Sequence, residues 1–189
     1  MTPRIPPTTA AERDERTEEM LASMMRRPDG TDMNIFATLA HHPKLLKRWA
    51  AFGGTLLFGG TLPARDRELL ILRTAWLCEA EYEWGQHVGI GKGAGITDEE
   101  IERVYADPGS DGWSPKDRAL LKAVDELHEH SRVGDATWRI LAETYDNQQL
   151  IEICMVVGQY HMVAFTLNSL GIEPEPGVPG FPASAPRTR

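Results

Sequence analysis

Residues 147–171, NQQLIEICMVVGQYHMVAFTLNSLG, are apolar on nearly every side of a helix and end at Gly171. A helix with no polar face has to be covered all round. In a chain of 189 residues this implies a helical core in which another subunit supplies part of the cover. Elsewhere no segment alternates convincingly as a half-buried strand does, whereas helix start and stop signals recur along the chain.

The first helical pattern, ERDERTEEMLASMMRR, runs to PDG. NIFATLAHH has Asn34 as its candidate N-cap and ends before Pro43. PKLLKRWAAFGGTLLFGG opens on Pro43 and closes at Gly59 and Gly60, with Gly53 and Gly54 indicating close packing or a bend. The apolar RELLILRTAWL belongs to a helix starting at Pro63 or Ala64. Thr97 and Glu100 form a capping box, Ser114 and Pro115 open another helix, and Asp135 caps the next. The expected fold is all-α, a single-domain bundle of about seven to nine helices around two central ones. Residues 1–11 and 173–189 are rich in Pro, Gly and Ser and read as tails too poor in apolar residues to order themselves, leaving 12–172 as the domain.

The formal charge of −8 argues against nucleic acid as the main partner. The compact basic group Lys44, Lys47 and Arg48 suits a solvated helix face. The N-terminus has no apolar signal core and no run reaches spanning length, so neither secretion nor a membrane is expected. Two distant cysteines, Cys78 and Cys154, suit a reducing cytoplasm.

The chemistry concentrates in CEAEYEWGQH, residues 78–87. Apolar periodicity stops near Leu77–Ala80, and residues 81–93 read as a second helix released at Gly93 or Gly95. Glu79 (if helical), Glu83 and His87 are spaced i, i+4, i+8 and share one face, flanked by Tyr82 and Trp84. Glu79, Glu81 and Glu83 suit the first turn, where the dipole favours anions. Spacing alone also fits an ordinary surface Glu83–His87 ion pair.

Taken together, RDRELLILRTAWLCEAEYEWGQHVGIGKGAGITDEEIERV, NIFATLAHHPKLLKRW and LIEICMVVGQYHMVAFTLNSLGIE resemble the carboxymuconolactone decarboxylase and alkylhydroperoxidase D superfamily over residues 34–172. The resemblance implies an all-helical homo-oligomer, commonly a trimer or hexamer, with a dimer as the smaller option. The peroxidase branch has a glutamate, a CxxC pair and a histidine. The glutamate falls on Glu68 and the histidine on His87, but the cysteine positions fall on Ala80 and Glu83. Without a thiolate pair, dithiol peroxidase chemistry loses its basis. What remains is a proton relay of Glu68 and His87, with Glu83 beside them.

That relay suits acid–base chemistry without a cofactor: decarboxylation or isomerisation of a small carboxylated or lactone substrate. The candidate catalytic residues are therefore His87, Glu68 and Glu83, expected as one hydrogen-bonded cluster. Trp84, Tyr82, Tyr160 and His161 are the candidate substrate wall, His161 being placed there by the resemblance; as a lone histidine in a core helix it is also an ordinary hydrogen-bonded residue. His41 and His42 suit carbonyl capping at a helix end. His128 and His130 are two apart and share no face. Glu83 and His87 could supply two metal ligands, but there is no HExxH and no clear third ligand, so no metal is expected. Cys78 reads as a small buried hydrophobe. A thiol-dependent antioxidant enzyme and a non-catalytic small-molecule-binding oligomer are the alternatives to the acid–base enzyme.

Overall fold

The computed structural model describes residues 2–27, 29–106 and 108–183. Among them the chain forms a 3-10 turn, Ala10–Glu12, and nine α-helices. These are α1 (Glu15–Ala22), α2 (Asn34–Leu39), α3 (Pro43–Phe58), α4 (Ala64–Leu77), α5 (Glu81–Gly93), α6 (Asp98–Val104), α7 (Pro115–His130), α8 (Asp135–Thr144) and α9 (Asn147–Leu170). No strand is formed among the described residues; Arg26 and Asp32 make one isolated bridge. The all-α bundle expected from the sequence is the observed fold.

Helix α4 is the centre, packed by α5, α7 and α9. Leu69, Leu70, Ile71 and Leu72 are consecutive, so they point to every side, and all are fully buried. Replacing any of them with alanine would cost about 2–5 kcal/mol through lost burial and the cavity left behind. The helix nevertheless carries charge, and each buried charge has a partner. Asp66 accepts from Lys116 Nζ at 2.7 Å and from Tyr145 Oη at 2.7 Å, tying α4 to α7 and to the end of α8. Arg73 reaches Asp125 on α7 through Nε at 2.7 Å and Nη2 at 2.8 Å. Its Nη1 donates to the carbonyls of Val104 at 2.6 Å and Ala106 at 2.8 Å, closing off the end of α6.

The helix termini follow the local chemistry. Thr97 with Glu100 is a capping box, and Ser114 caps α7 with Pro115 at its first position. At two starts the cap lies one residue before the one the sequence suggests. Met33 and Gly134 take the cap positions, so Asn34 and Asp135 are the first helical residues. His42 caps α3 by accepting from the Leu45 amide, so it serves an N-terminus and not a carbonyl. The long N-terminal helix is shorter than its pattern, confined to Glu15–Ala22 after the separate turn. Glu79 has φ 50°, the left-handed conformation that ends α4, so it lies outside α5 and does not extend the Glu83–His87 face.

The terminal segments are the largest departure from expectation. The Arg4 amide donates to the Leu170 carbonyl at 2.8 Å, and Thr8 Oγ1 to that of Ala37 at 2.7 Å. At the other end Glu175 is only 4% exposed, and Phe181 packs against Trp76 and Trp84. Such segments cannot build a core of their own, but they need none when they dock on one already formed and satisfy its helix ends. Residues 184–189 of the expected tail lie outside the described residues.

Helix α9 is long and apolar enough to cross a membrane by length and composition, and half of its most apolar window is buried in this core. It is not buried on all sides within one chain. Ile151, Met155, Met162 and Phe165 are 59%, 49%, 44% and 62% exposed and share one side at helical spacing.

The Arg73 fork is expected to be among the costliest polar sites to alter. Arg73→Lys keeps the charge but not the planar fork, so it should destabilise by about 2–4 kcal/mol in chemical denaturation. A loss below about 0.5 kcal/mol, the usual surface effect, would show that the fork contributes little.

Candidate functional site

Glu68 on α4 and His87 on α5 face each other across a close helix contact. Gly91, one turn beyond His87, makes that approach feasible. A Cβ there would lie 3.2 Å from Ile96 Cδ1 and 3.4 Å from Leu72 Cδ1. Glu68 Oε2 is 2.7 Å from His87 Nδ1, and Glu68 Oε1 is 3.0 Å from Arg67 Nε. Glu68 is fully buried and His87 nearly so. A carboxylate already accepting from a guanidinium accepts from the ring as well, so Nδ1 carries the hydrogen and Nε2 is left for a ligand. The Tyr160 ring from α9 meets His87 edge to face, 4.9 Å between centroids.

His87 opens onto a cavity of about 480 Å³, walled on one side by α9 and on the others by α1, α3 and α5. Tyr82, Glu83 and Tyr160 line it, with Gln159, Trp49 and Met24 among the rest. Most of the wall is apolar, and Lys47 is the one Lys or Arg side chain on it among the described residues. Glu83 is 2% exposed, and neither carboxyl oxygen has a hydrogen-bond partner among the described residues. Burial pushes its carboxyl well above the usual carboxylate range. Gln159 Oε1 is likewise buried without a partner. Burial, with Glu68 and Glu83 nearby, also raises the Tyr160 hydroxyl, which stays protonated.

Five of the seven residues singled out from the sequence gather here, though not as one network. Glu68 and His87 are hydrogen-bonded; Glu83 lies one turn from His87 but bonds to neither. It is not a surface pair with His87 either, since both are buried. Tyr82 and Tyr160 line the cavity, and the Tyr82 hydroxyl donates to Glu175 Oε1 at 2.7 Å. Trp84 and His161 do not line it. Trp84 is 1% exposed and belongs to a separate core patch with Leu69, Leu72 and Trp76, because its position in α5 turns it away from α9. His161 lies beside His128 on α7, one helical step past Tyr160.

Two contributors escaped the sequence reasoning. Gln159 could have been noticed as the lone amide in VVGQYHMVAF. Glu175 carries no local signal: it lies in a Pro/Gly-rich segment, yet it holds the Asn34 amide, Tyr82 and Gln86 together.

Residues 43–126 match the carboxymuconolactone decarboxylase family. Comparison with curated proteins finds no match. Among solved structures, the chain resembles an alkylhydroperoxidase AhpD core, a peroxidase-related protein from Ralstonia eutropha JMP134. The TM-score is 0.80 at 20% identity, covering 93% of this chain and 94% of that one. A peroxidase-related protein from Silicibacter sp. TM1040 superposes with TM-score 0.77 at 14% identity, covering 94% and 96%. The debrominase Bmp8 superposes with TM-score 0.73 at 14% identity, covering 91% and 92%, and its cysteine-to-alanine variant has been solved with 2,3,4-tribromopyrrole. The segment 43–126 thus resembles the carboxymuconolactone decarboxylase family, and the chain as a whole has the fold of the alkylhydroperoxidase D-like proteins.

Proposed function

We propose that the protein is an acid–base enzyme that decarboxylates or isomerises a small carboxylated or lactone substrate. The observation that carries this reading is His87, held by Glu68 in the wall of an apolar cavity, one turn from a carboxyl that burial raises above the usual carboxylate range. His87 offers Nε2 as the base, and Glu68 stabilises the imidazolium that forms. Burial raises the Glu83 carboxyl and so favours its protonated form, which makes it the acid.

In decarboxylation the bond to the carboxylate carbon breaks and carbon dioxide leaves. The electron pair enters the conjugated carbonyl of the lactone, and the carbon that bore the carboxylate takes a proton from the acid. Isomerisation uses the same groups: His87 removes a proton from one carbon and Glu83 returns one to another. The apolar wall strengthens both transfers by excluding water. The complex of Bmp8 with 2,3,4-tribromopyrrole supports a ring-sized substrate for this fold.

Thiol chemistry has less support. Burial and the nearby Glu83 push the Cys78 thiol up to about 12, and burial raises the Cys154 thiol too. Neither is poised as the thiolate that attacks peroxide. We also assign copies of the chain to the exposed side of α9, forming a homo-oligomer. Light scattering at micromolar concentration should give a mass above one chain; a monomer would refute that assignment.

His87→Gln should keep fold and ligand binding and lower turnover by about 10²–10⁴-fold, with Glu68→Gln nearly as damaging. Activity is to be screened on lactone acids, with binding followed by calorimetry. Substrate binding with unchanged turnover in His87→Gln would favour a different catalytic group, and binding without any turnover in the wild type would favour a non-catalytic role.

Glu83 makes a separate forecast. Its folded carboxyl titrates above the unfolded one, so between the two the unfolded chain releases a proton that the folded chain retains. Stability is then greatest below the unfolded value and falls as pH rises through that window. Glu83→Gln removes this loss. It should melt higher than the wild type at about pH 7, with the difference vanishing below about pH 4, while turnover drops. Equal melting curves at both pH values would mean that Glu83 ionises in the folded protein as freely as in water.

A further inference from the structure

Three helices bring ligand-bearing side chains together on the side of α9 away from the cavity. His161 Nε2 lies 2.9 Å from His128 Nδ1, with the two rings 5.2 Å apart and tilted by 38°. Cys78, the C-cap residue of α4, completes the group. Its Sγ and one nitrogen of each histidine all lie within 4.8 Å of one another. His128 is exposed and the other two are half-buried, so an ion from solvent can reach them. No sequence signature announces the group, because His128 and His161 are 33 residues apart on different helices.

The hydrogen-bond pattern gives the group its direction. His161 Nδ1 is 2.8 Å from the Val157 carbonyl. A carbonyl only accepts, so the hydrogen sits on Nδ1 and the neutral ring turns the Nε2 lone pair toward His128 and Cys78. A backbone carbonyl on the far nitrogen is the usual way a metal-binding histidine is oriented. In the free protein His128 can donate Nδ1–H to that lone pair. Moving this hydrogen to Nε2 frees Nδ1 as a second ligand with no movement of the ring. Cys78 is anchored through its backbone, its amide donating to the Thr74 carbonyl at 3.0 Å and its carbonyl accepting from Asn168 Nδ2 at 2.7 Å. Four-coordinate zinc, with bonds of about 2.0–2.3 Å, sets neighbouring ligand atoms roughly 3.3–3.8 Å apart. The two nitrogens, 2.9 Å apart, are closer than that range and the whole group lies within 4.8 Å, so small side-chain rotations suffice.

We propose that Cys78, His128 and His161 form a zinc site, with one thiolate and two imidazoles as ligands and the fourth position open to solvent. Sulfur and nitrogen donors suit zinc and disfavour magnesium and calcium, which take oxygen. Binding replaces the thiol hydrogen by the ion and releases one proton to solvent, with no change of oxidation state. The site is separate from the proton-transfer cavity: Tyr160 lines the cavity, whereas His161, the next residue, belongs to the metal group.

The test uses the full chain stripped of metal with a chelator and dialysed against zinc chloride. The wild type should take up one zinc per chain, and Cys78→Ser, His128→Gln and His161→Gln should each weaken binding by roughly tenfold or more. His128 is exposed, so its variant keeps the fold whatever happens at the other two. With cobalt as the probe, the wild type and Cys154→Ser should show a sulfur-to-metal charge-transfer band that Cys78→Ser lacks. Zinc should also slow alkylation of Cys78 by iodoacetamide and leave Cys154 unaffected. Absence of stoichiometric zinc binding, or binding undiminished in both His128→Gln and Cys78→Ser, overturns the proposal.

Discussion

A helix buried on nearly every side can carry charge only where partner groups meet it, and α4 carries three such charges, each with at least one partner from another element. Asp66 meets Lys116 and Tyr145, Glu68 meets Arg67 and His87, and Arg73 meets Asp125 and two carbonyls. Each partner comes at a different height along the helix. The charges therefore set which part of α5, α6, α7 and α8 lies against it, which apolar packing alone specifies weakly. The Glu68–His87 pair is one of these clamps and also the chemical centre of the cavity.

Glu83 differs from those clamps. It is as buried as they are and has no partner among the described residues. A chain selected for stability alone would place an apolar residue or an amide there. An unpartnered acid at a cavity wall is the kind of local cost that goes with a functional site, where a group must keep a proton that water would remove. The surrounding core tolerates that cost because the nearby α4 clamps are fully satisfied.

The terminal segments link fold and site. Glu175 ties Tyr82 and Gln86 to the start of α2, so two cavity residues take their position from a segment outside the bundle. Gly85 belongs to the same joint: Val178 and Pro179 lie where its Cβ would be. A side chain there would push the segment off α5 and release Tyr82.

The sequence by itself determined the helices and most of their ends. Those properties depend on neighbours a few residues apart: a cap and its third residue, a proline at a first turn, an unbroken apolar run. It also named Glu68, Glu83 and His87 together, since helical spacing and a family-like pattern survive in a linear string. Only the tertiary structure decided that Glu83 stands unbonded, that Trp84 turns to another core patch, and that α9 leaves one side open. It alone brought Glu175 to Tyr82 and gathered Cys78, His128 and His161. These depend on which faces of separate helices meet, and that is set by packing between elements far apart in the chain, where local spacing carries no information.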